Sequence, residues 1–126
     1  MNNQSPRKVF DLEDRTFDFA MDVRKLTKKL PPTLANRRDS SQLIDSSGSV
    51  GANYREANES FSKKDFVHRA KICRKEAKES HYWLRLLDTG DDTALDKDRM
   101  ALVKESHELT CIFGAIITKV EKQLDK

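Results

Sequence analysis

Apolar residues return every three or four positions along nearly all of this chain, and few signals interrupt them. That spacing is one face of an α-helix, and it excludes a sheet protein or a disordered chain. No run alternates apolar and polar residues, and 126 residues carry only four glycines and three prolines. A chain of this length holds one domain with its own core, even at 36% charged and 37% hydrophobic residues. The expectation is an all-α fold, an antiparallel up-and-down four-helix bundle.

The first ten residues carry no such pattern and are expected to form a flexible arm, leaving 11–124 as the bundle domain. Asp11 can cap a first helix that runs to about Lys29, with Leu12, Phe19, Val23, Leu26 and Leu30 in one stripe. Pro31 and Pro32 end it. Residues 33–40, with Arg37 and Arg38, read as a connection, after which Ser40 or Ser41 can cap a second helix.

That second helix meets an obstacle, because residues 46–66 hold two glycines and five serines. Glycine inside a helix costs about 1 kcal/mol relative to alanine. Leu43, Ser47, Val50, Tyr54 and Ala57 nonetheless keep helical spacing through the glycines, which favours a continuous helix over two short ones. Ser47 pairs with Gly51, and Gly48 with Ala52, four apart, giving a strip poor in side chains on which another helix could lie closely. Helix three starts at "FSKKDF", where Ser62 is the N-cap, Asp65 the N3 partner, and Phe61 and Phe66 the two members of a hydrophobic staple. It should run to about Asp88 and stop at Gly90 in a left-handed C-cap. Residues 91–96 form an acidic turn, and helix four follows from about Lys97 to Lys122.

Helices three and four are apolar over more of their girth than one bundle core uses. Helix three offers Phe66, Ala70, Cys73, Ala77, Leu84 and Leu87 to the core, and a second stripe of Ile72, Glu76, Glu79, Trp83 and Leu86 beside it. Helix four offers Leu102, Leu109, Phe113, Ile116 and Val120, while Val103, Ile112 and Ile117 point elsewhere. The surplus predicts a homo-oligomer. Both cysteines, Cys73 and Cys111, lie in apolar helical patterns and are expected to be buried, reduced thiols.

Net charge is only +3, but it is unevenly placed. From 63 to 85 there are eight Lys or Arg against three acids, a local balance of +5. Lys64, His68, Lys71, Lys75, Lys78 and Arg85 share one side of helix three. Such a run is often just a solvated face, yet repeated by symmetry it would build a strong positive field.

The sequence is poor in catalytic and metal signals. Helix-bundle di-metal centres need Glu-x-x-His on two helices, and none is present. "ESH" occurs at 79–81 and 105–107, but residues two apart on a helix diverge. "GSVG" lacks the lysine and the preceding strand of a phosphate loop. Glu76 and Glu79 could form an acid/base pair, although pairing with arginines across a subunit contact is the simpler role. No enzyme activity, cofactor or metal is expected. The longest nearly apolar run, residues 109–118, is far short of the roughly 20 residues that cross a bilayer, and no secretory signal is visible, so a cytoplasmic, non-membrane protein is expected.

Residues 42–87 resemble the bacterial four-helix-bundle family named after the 23S rRNA intervening sequences in which some members are encoded. Asn53 and Glu56 match its Asn-x-x-Glu segment, and Glu76, Glu79, Trp83 and Leu84 match its next block. Weaker likeness extends over "KLTKKLP" and "HELTCIFGAIITKV". The sequence departs in reading "EANE" where many members have Gly after Asn-x-x-Glu, and in lacking an aromatic just after Asp11-Leu12. The resemblance implies an up-and-down bundle assembled into a homopentameric barrel. It also implies kinship with the accessory variability protein of diversity-generating retroelements, a basic barrel that associates with a reverse transcriptase and binds nucleic acid. Gly48, Gly51, Asn53, Glu56, Glu76, Glu79 and Trp83 would then serve oligomer or partner contacts, Asn53 and Glu56 most simply as structural hydrogen-bond partners.

Two functions follow as expectations. The first is RNA or DNA binding through phosphates by Lys64, Lys71, Arg74, Lys75, Lys78 and Arg85, with Arg37, Arg38 and the basic arm as auxiliaries and few aromatics to stack bases. The rival is a protein-interaction scaffold that uses the Trp83 and Glu79 face without touching nucleic acid.

Overall fold

A computed structural model describes residues 11–124. They form four helices, α1 (Leu12–Thr27), α2 (Leu34–Asn58), α3 (Lys63–Leu86) and α4 (Thr93–Leu124), and no strand among the described residues. Each helix packs on the next, and α4 returns to α1. Successive helices run antiparallel. Glu13 of α1 meets Asn58 at the far end of α2, Ser46 of α2 meets Ser80 of α3, and Lys71 of α3 meets Glu121 near the end of α4.

The core follows the apolar stripes. Phe19, Val23, Leu43, Val50, Cys73, Ala77, Leu84, Leu109 and Phe113 are buried in one cluster, and Val67, Ala70 and Ile117 form a second at the end where α3 begins. Half-buried Tyr54 sets its ring edge-on to Phe113, with centroids 5.6 Å apart. The two serines buried between α2 and α3 satisfy each other, with Ser46 Oγ 2.8 Å from Ser80 Oγ. The seam between α1 and α4 is thin and is closed by charge. Arg15 donates in a fork to both carboxylate oxygens of Glu105, at 2.7 and 2.8 Å, and to Glu108 at 2.9 Å. Forked guanidinium–carboxylate pairs of this kind hold geometry as well as charge.

α2 passes unbroken through Gly48 and Gly51. Its start is earlier than the serines suggest, because the Thr33 hydroxyl, not Ser40 or Ser41, accepts the Asn36 N–H and caps the helix. Arg37 and Arg38 are therefore helical rather than part of a connection. α4 likewise begins at Thr93, where the Asp92 carboxylate accepts the Leu95 N–H at 2.9 Å. Asp96 then lies in its first turn, where carboxylates suit the positive end of the helix dipole.

Other expectations need correction. Asp11 stands at the N-cap position of α1 without making a side-chain cap bond. Ser62 caps α3 through the Asp65 N–H, but Phe61 is fully exposed, so the staple with Phe66 does not form. α3 ends at Leu86 with an extended Leu87. Gly90 does take φ +67°, three residues further on in the turn rather than at the cap. Of Ile116, Ile117 and Val120, it is Ile117 that is buried, while Ile116 and Val120 are half-buried against the core. Cys73 is buried and its thiol is pushed up to about 12, chiefly by desolvation, whereas Cys111 is exposed.

Candidate nucleic-acid interface

Helical phase sets Lys64, Lys71, Lys75, Lys78 and Arg85 on one arc of α3, turned away from the core residues Cys73, Ala77 and Leu84. All five are exposed. From Lys64 to Arg85 the arc is about 32 Å long at 1.5 Å per residue. Lys71 Nζ lies 3.2 Å from Glu121, with both side chains about half exposed, and a surface pair of that kind binds its charge weakly. Among the described residues Lys64, Lys75, Lys78 and Arg85 have no carboxylate within ion-pair distance. Arg74 is half-buried and sits at the α4 edge of the arc.

Arg37 and Arg38 lie on another element, α2, where Arg37 lines a depression on the α1–α2 side with Thr27, Leu30 and Pro31. The start of α2 is tied to the end of α3, because buried Asn36 donates to the Asp88 carbonyl at 2.8 Å and accepts the Asp88 N–H at 2.9 Å. Both arginines thus lie at the Arg85 end, where Arg37 also donates to the Pro32 carbonyl at 2.6 Å. Asp88, Asp91 and Asp92 occupy the turn at that same end. Those aspartates offset positive charge at that end, and in the middle of α3 Glu76 and Glu79 adjoin Lys75 and Lys78 in the chain, with Lys75 close enough to act on the Glu76 carboxyl. The basic arm lies outside the described residues.

Sequence spacing alone did not single out the exposed rings on this surface. Tyr82, 55% exposed, falls on the basic arc between Lys78 and Arg85, and Phe61 stands fully exposed just before Lys63 and Lys64. Tyr82 also sets its ring edge against Trp83, with centroids 5.1 Å apart. Aromatic rings among cations are the components of a base-stacking surface. The signal was available for Tyr82 in its phase, one turn from Lys78, and hidden for Phe61 by its apparent staple role.

The residues expected at subunit or partner contacts divide into two places. Gly51 serves a contact inside the chain, since a Cβ there would stand 2.9 Å from Thr16 Oγ1 of α1. Gly48 lies on the same α1–α2 side, where a Cβ would first meet Arg24 Nη2 at 3.6 Å. By helical phase Asn53 and Glu56 of α2, and Glu76, Glu79 and Trp83 of α3, instead fall toward the α2–α3 side, spread along its length. There Asn53 donates to the Ser49 carbonyl at 2.9 Å and accepts from Arg69 at 3.4 Å, a structural role within one chain. Glu76 is half-buried, and burial followed by the charge of Glu79 raises its carboxyl above the usual range.

On the α4 side of α3, the His81 and His107 rings lie 6.1 Å apart. Burial, then Arg85 and His107, lower the His81 pKa. His107 Nε2 is 3.6 Å from Cys111 Sγ. No group of three or more such side chains among the described residues is arranged to hold a metal ion. No helix is long and apolar enough to cross a membrane among these residues.

A family model described as 23S rRNA-intervening sequence protein matches residues 9–113. The chain belongs to that family. Among solved structures, a crystal structure of a protein of unknown function from the S23 ribosomal protein family of Bacteroides thetaiotaomicron is similar to it. The two are 32% identical with a TM-score of 0.69, and the match covers 84% of this chain and 97% of the other. No curated protein matches the chain. The matched span takes in all of α1, α2 and α3 and most of α4, so the family bears on the whole bundle, including the basic arc.

Proposed function

We propose that this member of the 23S rRNA-intervening sequence protein family is a non-enzymatic, homo-oligomeric bundle that binds RNA or DNA through the exposed face of α3. The family resemblance supports a pentameric barrel and a role as accessory to a reverse transcriptase or ribonucleoprotein. The observation that carries the proposal is the exposed row of Lys64, Lys75, Lys78 and Arg85, none of them within ion-pair distance of a carboxylate among the described residues. Cations about one to three helical turns apart along one face are suited to phosphates along a single strand. Lys71, Arg74, Arg37 and Arg38 widen the field, and Tyr82 offers a face to an unpaired base.

Phosphate binding of this kind releases counterions. Three or four contacts per subunit on a single strand predict that affinity falls roughly 20- to 50-fold between 50 and 200 mM salt. Fluorescence anisotropy with a labelled single-stranded RNA and a DNA duplex measures this directly. Equal affinity at both salt concentrations would remove phosphate contact as the mechanism. Absence of binding at 50 mM salt, with retention of a specific protein in a pull-down, would transfer the function to the scaffold reading.

A further inference from the structure

The four helices do not end level where α1 begins. Arg15, one turn into α1, already faces Glu105 and Glu108, which brings Leu12 level with about Leu109 at about 1.5 Å per residue. α2 ends near the same height, since Asn58 meets Glu13. α4 continues to Leu124, about 22 Å past Leu109. The start of α3 accompanies it, with Val67 and Ala70 packed on Ile117, and Phe66 and Val120 half-buried beside them. Ile112 and Ile116 follow Glu105 by two and three helical turns, so they lie on the stripe of α4 that faces α1. Both are half-buried against the core, on a stretch of α4 past the start of α1.

The chain upstream of α1 departs from that same place. Leu12 is buried and Asp11 half-buried, so the backbone enters α1 at the margin of the core. Val9 and Phe10 stand directly before Asp11, while residues 2–8 hold no large apolar side chain. The family model begins its match at residue 9, so it takes in Val9 and Phe10 and leaves out the first eight residues. Ile112 and Ile116 lie about 5 and 10 Å beyond Leu109 along α4. A chain that extends about 3.3 Å per residue reaches both within two or three residues of Leu12.

We infer that the segment before α1 docks on α4 of its own chain, with Val9 and Phe10 over Ile112 and Ile116. Val9 and Phe10 thus take up the stripe that α1 is too short to cover, and apolar surface leaves water on both sides of the contact. The docking lies within one chain and is independent of both assembly and nucleic-acid contact. It holds Arg7 and Lys8 at the end of the bundle where the basic arc begins with Lys64.

Disulfide trapping in the whole 126-residue chain tests the docking. Cys111→Ser removes the exposed thiol, and buried Cys73, its thiol pushed up to about 12, does not compete. In that background, Phe10→Cys combined with Ile112→Cys or with Ile116→Cys should close a disulfide within one chain under mild oxidation. At least one of these pairs should close tenfold or more faster than Phe10→Cys with Ala52→Cys, which lies in the α1–α2 groove. Circular dichroism checks the fold, and non-reducing gels separate links within a chain from links between chains. In the otherwise native chain, Phe10→Ala should lower the melting temperature by about 4 °C or more, and Ile116→Ala should cost less on top of it than alone. Equal closure rates for the α4 and groove pairs, or a Phe10→Ala chain that melts with wild type, would overturn the docking. Links that form only between chains would overturn it too, and give the stripe to a second copy.

Discussion

Gly51→Leu should lower the melting temperature by about 10 °C or more. A Cβ at this position would stand 2.9 Å from Thr16 Oγ1, 3.3 Å from Thr16 Cβ and 3.6 Å from the Thr16 carbonyl carbon. Thr16 cannot swing aside, because it is buried, β-branched and tied by its hydroxyl to the Leu12 carbonyl at 2.7 Å. The remaining atoms of leucine would force α1 and α2 apart along a seam that also carries Phe19 and Val50. Overpacking of a tight core costs about 1–3 kcal/mol and sometimes more. For a domain of this size about 3 kcal/mol corresponds to a shift of roughly 10 °C. Gly114→Ala is the internal control. A Cβ there meets nothing within 4 Å, so the ordinary helix preference for alanine, about 1 kcal/mol, should appear as a gain. Thermal melts followed by circular dichroism distinguish these outcomes, and an unshifted Gly51→Leu would mean that α1 does not approach α2 closely.

Asn36→Ala should be comparably damaging, although no apolar volume of consequence is removed. The Asn36 side chain is 2% exposed and makes three bonds. It donates to the Pro31 carbonyl at 3.0 Å and to the Asp88 carbonyl at 2.8 Å, and it accepts the Asp88 N–H at 2.9 Å. One residue thus joins the α1–α2 turn to the α3–α4 turn at the same end of the bundle. A typical net hydrogen bond contributes about 1 kcal/mol, and stranded partners add to the loss, so about 2–4 kcal/mol is expected. The amide of Asp88 should also exchange its hydrogen faster than in wild type. Asn36→Asp should fare no better than alanine, because it keeps the acceptor but turns a carboxylate toward two carbonyl oxygens. A neutral Asn36→Ala would show that the two turns hold without this bridge.

Asn36 also explains what the sequence concealed. The start of α2 is hard to see because its first turn inverts the usual pattern, with polar Asn36 inside and Leu34 61% exposed. Periodicity therefore becomes visible only at Leu43, and Ser40 and Ser41 look like caps. α4 starts early for a related reason, since an acidic run favours a first helical turn as readily as a loop. In "TCIFGAIITKV" so many positions are apolar that phase alone cannot choose between Ile116 and Ile117, nor show that Cys111 is outside. Elsewhere the pattern suffices: Leu43, Val50 and Ala57 carry α2 through two glycines, and Cys73, Ala77 and Leu84 fix the inner face of α3. Fixing that face also fixes its opposite, so the exposed basic arc was legible from the pattern alone. The division of Gly51 from Glu76 onto different sides of α2 was not, because it depends on which neighbour each side of the helix meets. No local signal announces the Arg15 bridge to Glu105 and Glu108, some 90 residues away.

The most direct test of nucleic-acid binding by α3 is the affinity of Lys75→Glu with Lys78→Glu for a single-stranded RNA, measured across salt concentrations. Both residues are exposed and have no carboxylate partner among the described residues, so helicity, melting temperature and assembly should match wild type. Binding at 50 mM salt should weaken more than tenfold. The slope of log affinity against log salt should become shallower by about 1.4, because two phosphates of the single strand are no longer neutralised and keep their counterions. An unchanged affinity and slope in a folded, assembled protein would contradict the assignment of the basic face of α3 as the nucleic-acid surface.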